Sequence, residues 1–210
     1  KKYIDRFHYL TQDLPHRTHG EQAQIACQAG AKWIQYRCLS KNDEELIAEV
    51  HHIATICDDW GTTLILTDHL HLLDEVDAQG VHIEDMNADF AAVRRKMGEE
   101  KTLGASATTF NQIQRIADLG CVDYIGFGPF AHTTTKPNNY DLIGIDGYRT
   151  IVEQMKSSGI NIPLIAVGGI QLKDVNSILE AGVYGIAVSA AINTDPDPHN
   201  AFVDFYNRIY

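Results

Sequence analysis

Tyr124-Ile-Gly-Phe-Gly-Pro-Phe-Ala-His-Thr-Thr-Thr-Lys136 is the stretch around which the rest of the chain arranges itself. Residues 122–127 are a short apolar run behind Gly120, the pattern of a buried strand. Gly126 and Gly128 let the backbone approach a neighbour closely, and Pro129, with no N–H, ends ladder pairing. Thr133, Thr134, Thr135 and Lys136 follow, three hydroxyls and an ammonium ahead of another proline. A buried strand that empties into a polar, cationic loop suits an anionic ligand. A plain surface loop would carry the same residues, so the rest of the chain has to decide.

On either side of this stretch, apolar strands alternate with amphipathic helices. Strands are expected over residues 7–11, 32–38, 63–67, 80–83, 102–107, 122–127, 163–167 and 185–188. Helices are expected over 19–28, from Asn42 or Asp43 through Cys57, over 70–76, 90–97 and 110–119, from about 147 to 156, and over 175–179 and 201–209. Gly30, Gly120 and Gly182 stand where helices stop. Eight strand–helix units with short connections and uniformly apolar strands describe an α/β fold of (β/α)8 TIM-barrel type, one domain over residues 1–210. A doubly wound open sheet would require 7–11 or 80–83 not to be strands.

The 210 residues, 44% of them hydrophobic, are enough for one such core, and a net charge of −11 argues against a nucleic-acid partner. Cys27, Cys38, Cys57 and Cys121 form no C-x-x-C pair and fall in apolar patterns, as reduced core thiols of a cytoplasmic protein would. No apolar run reaches membrane-spanning length, and the N-terminal residues do not read as a signal peptide. A homodimer paired through helices is compatible with such a barrel.

A barrel gathers its chemistry at the C-terminal strand ends. There the chain carries Gln35 and Arg37, Asp68, then His82, Glu84, Asp85 and Asn87, then Ser106 and Thr108, then Thr133, Thr135 and Lys136. Gly168-Gly169 and Ser189-Ala190 end the last two strands, where small residues let a phosphate reach backbone N–H groups. Arg37 lies in an apolar strand and needs an anionic partner, either a ligand or an internal carboxylate. Asp68 either holds Mg²⁺ beside a diphosphate or caps the next helix. His82 reads equally as structural or catalytic. His16, His19, His51, His52, His69 and His71 read as surface or edge residues rather than metal ligands.

The ordered set Gln35-x-Arg37, Thr67-Asp68, Gly80-Val-His-Ile83, Leu103-Gly-x-Ser106, Gly126-x-Gly-Pro129, Thr133-x-Thr-Lys136, Gly168-Gly-Ile170 and 185–192 resembles the thiamine phosphate synthase and thiazole tautomerase family over nearly the whole chain. The resemblance implies a TIM barrel that couples hydroxymethylpyrimidine diphosphate to thiazole phosphate and releases diphosphate, with Mg²⁺ as cofactor. It implies that Gln35 touches the pyrimidine, that Arg37 meets the diphosphate, and that Ser106 and Lys136 hold the leaving group. Thr133 and Thr135 would lie near the thiazole phosphate, bound by the backbone at Gly168, Gly169, Ser189 and Ala190. Thr67, His82 and Thr108 join the substrate-binding set, and Asp68, with Asp85 or Asn87, the metal set. The chain departs from the pattern at Leu39, where the family carries a lysine, at Thr67 in place of an asparagine, at Asn87 in place of a second metal carboxylate, and at Ala190 in place of a serine. Thr108 stands where the tautomerase has a histidine. Because Asp68 is present, synthase activity is the first expectation, with a tautomerase-like isomerase or a non-catalytic phosphate-ligand-binding paralogue as alternatives.

Overall fold

The computed structural model describes residues 2–133 and 139–210. Thr135 and Lys136, both expected in the site, lie outside the described residues.

Eight parallel strands close in sequence order: β1 (Phe7–Leu10), β2 (Trp33–Tyr36), β3 (Thr63–Thr67), β4 (Gly80–Ile83), β5 (Thr102–Ala107), β6 (Tyr124–Phe127), β7 (Leu164–Ala166) and β8 (Gly185–Val188). The two strands on which the barrel depended are both present. β1 pairs with β2 and, through Phe7↔Ile186 to Tyr9↔Val188, with β8; β4 pairs with β3 and β5. Among the described residues the α-helices are α1 (His19–Gln28), α2 (Asp43–Trp60), α3 (Phe90–Met97), α4 (Phe110–Leu119), α5 (Gly144–Ser157), α6 (Val175–Glu180), α7 (Ala190–Asn193) and α8 (Pro198–Ile209), the last two both after β8. None of them is long and apolar enough to cross a membrane.

Local chemistry explains these elements. Asn42 and Glu45 form a reciprocal capping box at the start of α2, and Asp43, Glu44 and Glu45 complement its positive N-terminus. Leu46, Val50, Ile53, Ala54 and Cys57 recur at helical spacing on its buried face, and Gly61, at φ 66°, ends it in the left-handed region. Several boundaries differ from expectation. Arg37 sends its N–H to Thr11 Oγ1 at 3.1 Å, so β2 ends at Tyr36. β6 starts at Tyr124, and just before it the Asp123 carboxylate accepts Leu103 N–H and pairs with Arg94 and Lys2. Residues 70–75 wind as a 3₁₀ helix, and Pro198, suited to the first turn, starts α8 three residues before Ala201.

Most apolar side chains pack between the strands and the helices. A smaller cluster of Ile4, Trp33, Ile65, Tyr124, Ile165 and Ala187 fills the barrel itself. Fully burying an isoleucine such as Ile65 contributes about 1.5–3 kcal/mol. A Cβ on Gly104 would stand 2.2 Å from the Tyr124 ring, so the glycine on β5 is what lets that ring fill the interior. Because strand side chains alternate, the residues two places beyond this plug (Gln35 beyond Trp33, Val167 beyond Ile165) are turned to the same face one layer higher. The plug is thus the floor on which the site rests.

Candidate active site

Above that floor, one cavity opens at the C-terminal ends of the strands. Gln35, Arg37, His82, Ser106, Thr108 and Thr133 line it, and so do Gly168, Gly169, Ser189 and Ala190. Thr67, Asp68, Asp85 and Asn87 are not among its lining residues. Thr67 is buried and accepts a 2.7 Å hydrogen bond from Gln35 Nε2, which sets the orientation of that amide.

The β2–β4 corner of the cavity is ionic. Arg37, 8% exposed, donates from Nε to Glu84 Oε1 at 3.0 Å. The internal-carboxylate reading of Arg37 is therefore realised by Glu84, which also lines the cavity. Glu84 N–H in turn donates to Asp68 Oδ1 at 3.0 Å. Asp68 caps strand β4 in this way, and no side chain caps the 3₁₀ helix that follows it. Asp68 and His69 have φ of 58° and 56°, two successive left-handed residues with side chains, each at a cost of about 1–2 kcal/mol. Asp85 and Asn87 are both exposed, and Asn87 N–H donates to Asp85 Oδ1 at 2.9 Å in a local turn. Asp68 is thus joined to Glu84, and Asp85 to Asn87.

Across β4 to β6 runs a chain of side chains. His82 Nδ1 lies 2.9 Å from Tyr124 OH, and its Nε2 lies 2.9 Å from Ser106 Oγ. Burial pushes the Tyr124 phenol well above its ordinary pKa, with the Asp123 charge adding to the shift, so the phenol keeps its proton. A phenol donating to Nδ1 would leave Nε2–H to donate to Ser106 Oγ and the serine proton for the cavity. Thr108 is used differently: its N–H and its Oγ1 both donate to Gln112 Oε1, at 2.7 and 3.2 Å, beside the Thr109–Gln112 capping box of α4.

The third part of the cavity is the β7–β8 end. Gly168 and Gly169 have φ of 101° and 69°. A Cβ on Gly169 would stand 2.5 Å from His132 O and 2.8 Å from Ala131 O, so this glycine is needed for packing against the loop after β6 as well as for access. Phe130 N–H and Ala131 N–H donate to Val167 O and Gly168 O, which ties that loop to the turn and brings Thr133 to the cavity. Ser189 Oγ faces Leu10 O at 3.1 Å and Gln12 Oε1 at 2.9 Å, so its hydroxyl braces β1. No side chain caps the first turn of α7, at Ala190 and Ala191.

One reading has to be corrected. His19 is not a surface residue: it is 3% exposed, with Nδ1 2.7 Å from Thr11 Oγ1 and Nε2 2.8 Å from Asp13 Oδ1. Burial works to lower its pKa, and the hydrogen bonds to Cys38 and Asp13 outweigh that and raise it. His16, His51, His52 and His71 are exposed and His69 is half-buried, as expected.

The model of a family described as "Thiamine monophosphate synthase" matches residues 9–192. The thiamine-phosphate synthase of Phocaeicola vulgatus is 38% identical over 178 residues, 85% of each chain. That of Bacteroides fragilis is 37% identical over 90% of this chain and 93% of its own, and that of Flavobacterium johnsoniae 34% identical over 97% and 95%. This chain belongs to the thiamine monophosphate synthase family. Thiamine phosphate pyrophosphorylase from Pyrococcus furiosus superposes with a TM-score of 0.83 at 24% identity, covering 97% of this chain and 95% of that one, a likeness of fold.

In this thiamine monophosphate synthase family member, sequence reasoning missed several lining residues. His8 on β1 and Tyr124 on β6 reach the cavity from inside the barrel, and Tyr140 and Gln171 from the loops around it. The alternation of β1 was the available signal for His8, since it turns the same way as Leu10, another lining residue. Glu84 stood among the strand-end residues, but nothing in its spacing named Arg37 as its partner.

Proposed function

We propose that this chain couples hydroxymethylpyrimidine diphosphate to thiazole phosphate, giving thiamine phosphate and diphosphate, as a transferase of thiamine biosynthesis. The observation that carries the reading is a single cavity with two unlike ends. One is the ionic corner of Arg37 and Glu84, with Asp68 behind it accepting the Glu84 N–H; the other is the turn of Gly168, Gly169 and the first amides of α7. That pairing suits two substrates that each carry phosphate but differ in charge. Curated relatives named for this activity, 34–38% identical over most of the chain, support it.

In this mechanism the bond between the pyrimidine methylene and the diphosphate oxygen breaks. The cation so formed is delocalised into the aminopyrimidine, and the thiazole nitrogen bonds to the methylene carbon. The chain's task is placement and neutralisation. The Gln35 amide, held by Thr67, is turned to the pyrimidine edge. Arg37 carries a charge that Glu84 orients in the free protein and that a diphosphate would share. Ser106, held by His82, has a hydroxyl proton to donate to a departing oxygen, and Lys136 would supply an ammonium to the leaving group, as the resemblance implies. The turns after β7 and β8 present backbone N–H groups to the thiazole phosphate, with Thr133 lining the same cavity, and Thr135 would join them as the resemblance implies.

The Asp68 carboxylate, which accepts the Glu84 main-chain N–H, and the Glu84 carboxylate, which pairs with Arg37, are hard oxygen donors of the kind that holds Mg²⁺ through one or two carboxylates plus substrate phosphate. Mg²⁺ bound there would neutralise charge on the diphosphate. Asp85 or Asn87 would join through the neighbouring turn. A cytoplasmic setting, for which the four free thiols speak, one functional domain over 1–210, and pairing of two barrels through helices belong to the same proposal.

The test is an assay with each component omitted in turn. Thiamine phosphate should form only with both substrates and Mg²⁺. Rearrangement of a thiazole carboxylate phosphate isomer without any pyrimidine substrate, and no coupling, would overturn the reading in favour of an isomerase.

A further inference from the structure

Away from the cavity, on the helix side of β2, three side chains from separate parts of the chain converge. Asp13 comes from the loop after β1, His19 is the first residue of α1, and Cys38 lies two residues beyond β2. A carboxylate oxygen, an imidazole nitrogen and the thiol sulfur all lie within 4.8 Å of one another. We propose that Asp13, His19 and Cys38 form a Zn²⁺ site that ties the loop after β1 to the loop after β2.

The donor set is the first reason. One thiolate, one imidazole and one carboxylate suit Zn²⁺, whereas a thiolate is foreign to Mg²⁺ and Ca²⁺. Geometry is the second. Bonds of about 2.0–2.3 Å place tetrahedral ligands roughly 3.3–3.7 Å apart. His19 Nε2 and Asp13 Oδ1, now 2.8 Å apart, need to open only slightly, and the Asp13 side chain is 35% exposed, so it has room to do so. The same exposure provides the way in for an ion, since His19 and Cys38 are buried.

The outer contacts supply the third reason. A ligating histidine normally gives its other ring N–H to an oxygen, and His19 Nδ1 lies 2.7 Å from Thr11 Oγ1. Asp13 Oδ2 accepts Leu39 N–H at 3.0 Å, which holds the carboxylate while Oδ1 turns to a metal. Binding would replace the protons of the Cys38 thiol and of His19 Nε2 by the ion. A fourth position is left for water or for Ser40 Oγ, 3.7 Å from the sulfur.

The site does not depend on the coupling reaction, so its test needs no substrate. Chelator-treated protein is titrated with Zn²⁺ in competition with a chromophoric chelator, and separately with Co²⁺. One equivalent should bind, Co²⁺ should show a thiolate charge-transfer band in the near ultraviolet, and Zn²⁺ should raise the unfolding temperature. Cys38→Ser and His19→Gln should each weaken binding at least about 100-fold, judged against the 10–100-fold cost of losing even an outer contact. Cys121→Ser, at the one thiol that is not fully buried, should leave the band in place. Should Cys38→Ser fail to fold, the Co²⁺ spectrum with Cys121→Ser still decides. Absence of a thiolate band, or Zn²⁺ affinity unchanged in Cys38→Ser, would overturn the proposal.

Discussion

Replacing His8 by glutamine should remove a large part of the protein's loss of stability in mild acid. His8 is buried inside the barrel, stacked on Trp33 at 4.4 Å and against the edge of Tyr124 at 5.1 Å, with Nε2 2.8 Å from Asp5 O. Burial, with a smaller contribution from facing His82 and against the pull of the Asp5 carbonyl, lowers its pKa from 6.5 to about 3. The folded protein therefore holds His8 neutral, while the unfolded chain takes up a proton below about 6.5. The stabilising contribution is fully present above that value and is lost as the pH falls toward 3. Between pH 7 and pH 5 the loss is about 1.5 units at 1.36 kcal/mol each, or about 2 kcal/mol. Urea denaturation at both pH values and constant ionic strength measures it. The unaltered protein should lose about 2 kcal/mol more than His8→Gln over this interval. The variant will be less stable at pH 7 because it lacks the ring stack, about 0.5–1.5 kcal/mol, but only the pH difference carries the test. Parallel losses in the two proteins would refute the argument that His8 is held neutral by burial.

Asp68→Ala should abolish Mg²⁺-dependent coupling while thiazole phosphate binding, measured by calorimetry, stays within a few-fold of normal. Gly169→Ala places a Cβ 2.5 Å from His132 O at a φ of 69°, and should cost about 1–3 kcal/mol of stability in a denaturant titration together with a large loss of thiazole phosphate affinity. Lys136→Met should slow single-turnover coupling by roughly two to three orders of magnitude, the value of a charge-assisted bond of about 3–4 kcal/mol to a developing anion. Leu39, 67% exposed, leaves room for the opposite change: Leu39→Lys should raise the rate by about two- to fivefold, as a solvent-screened cation worth under about 1 kcal/mol would.

The barrel was legible because the strands were short and apolar and alternated with helical patterns, and because β1 and β4, each interrupted by a histidine, still kept their place in the alternation. The end-of-strand rule then collected Gln35, Arg37, His82, Ser106, Thr108, Thr133 and the turns after β7 and β8, all of which line one cavity. What escaped was pairing. Arg37 and Glu84 are 47 residues apart, and only the order of the closed sheet brings them together. Asp13, His19 and Cys38 show no spacing of a metal motif, because their meeting is made by two loops and a helix start. Local hydrogen bonding also gives structural uses to side chains expected in the site. Thr108 serves the α4 cap, Ser189 braces β1, and Asp85 closes its own turn with Asn87. Such uses depend on which N–H or carbonyl lies nearest, which periodicity does not encode.

The central claim is that one cavity joins two phosphorylated substrates and expels diphosphate. Phosphorus NMR of a single mixture of protein, hydroxymethylpyrimidine diphosphate, thiazole phosphate and Mg²⁺ observes both products at once. The account predicts that the diphosphate ester and thiazole phosphate signals decline together, that diphosphate and thiamine phosphate grow in equal amounts, and that chelating the Mg²⁺ stops both. Substrate signals that persist unchanged at stoichiometric protein, or diphosphate released without thiamine phosphate, would contradict it.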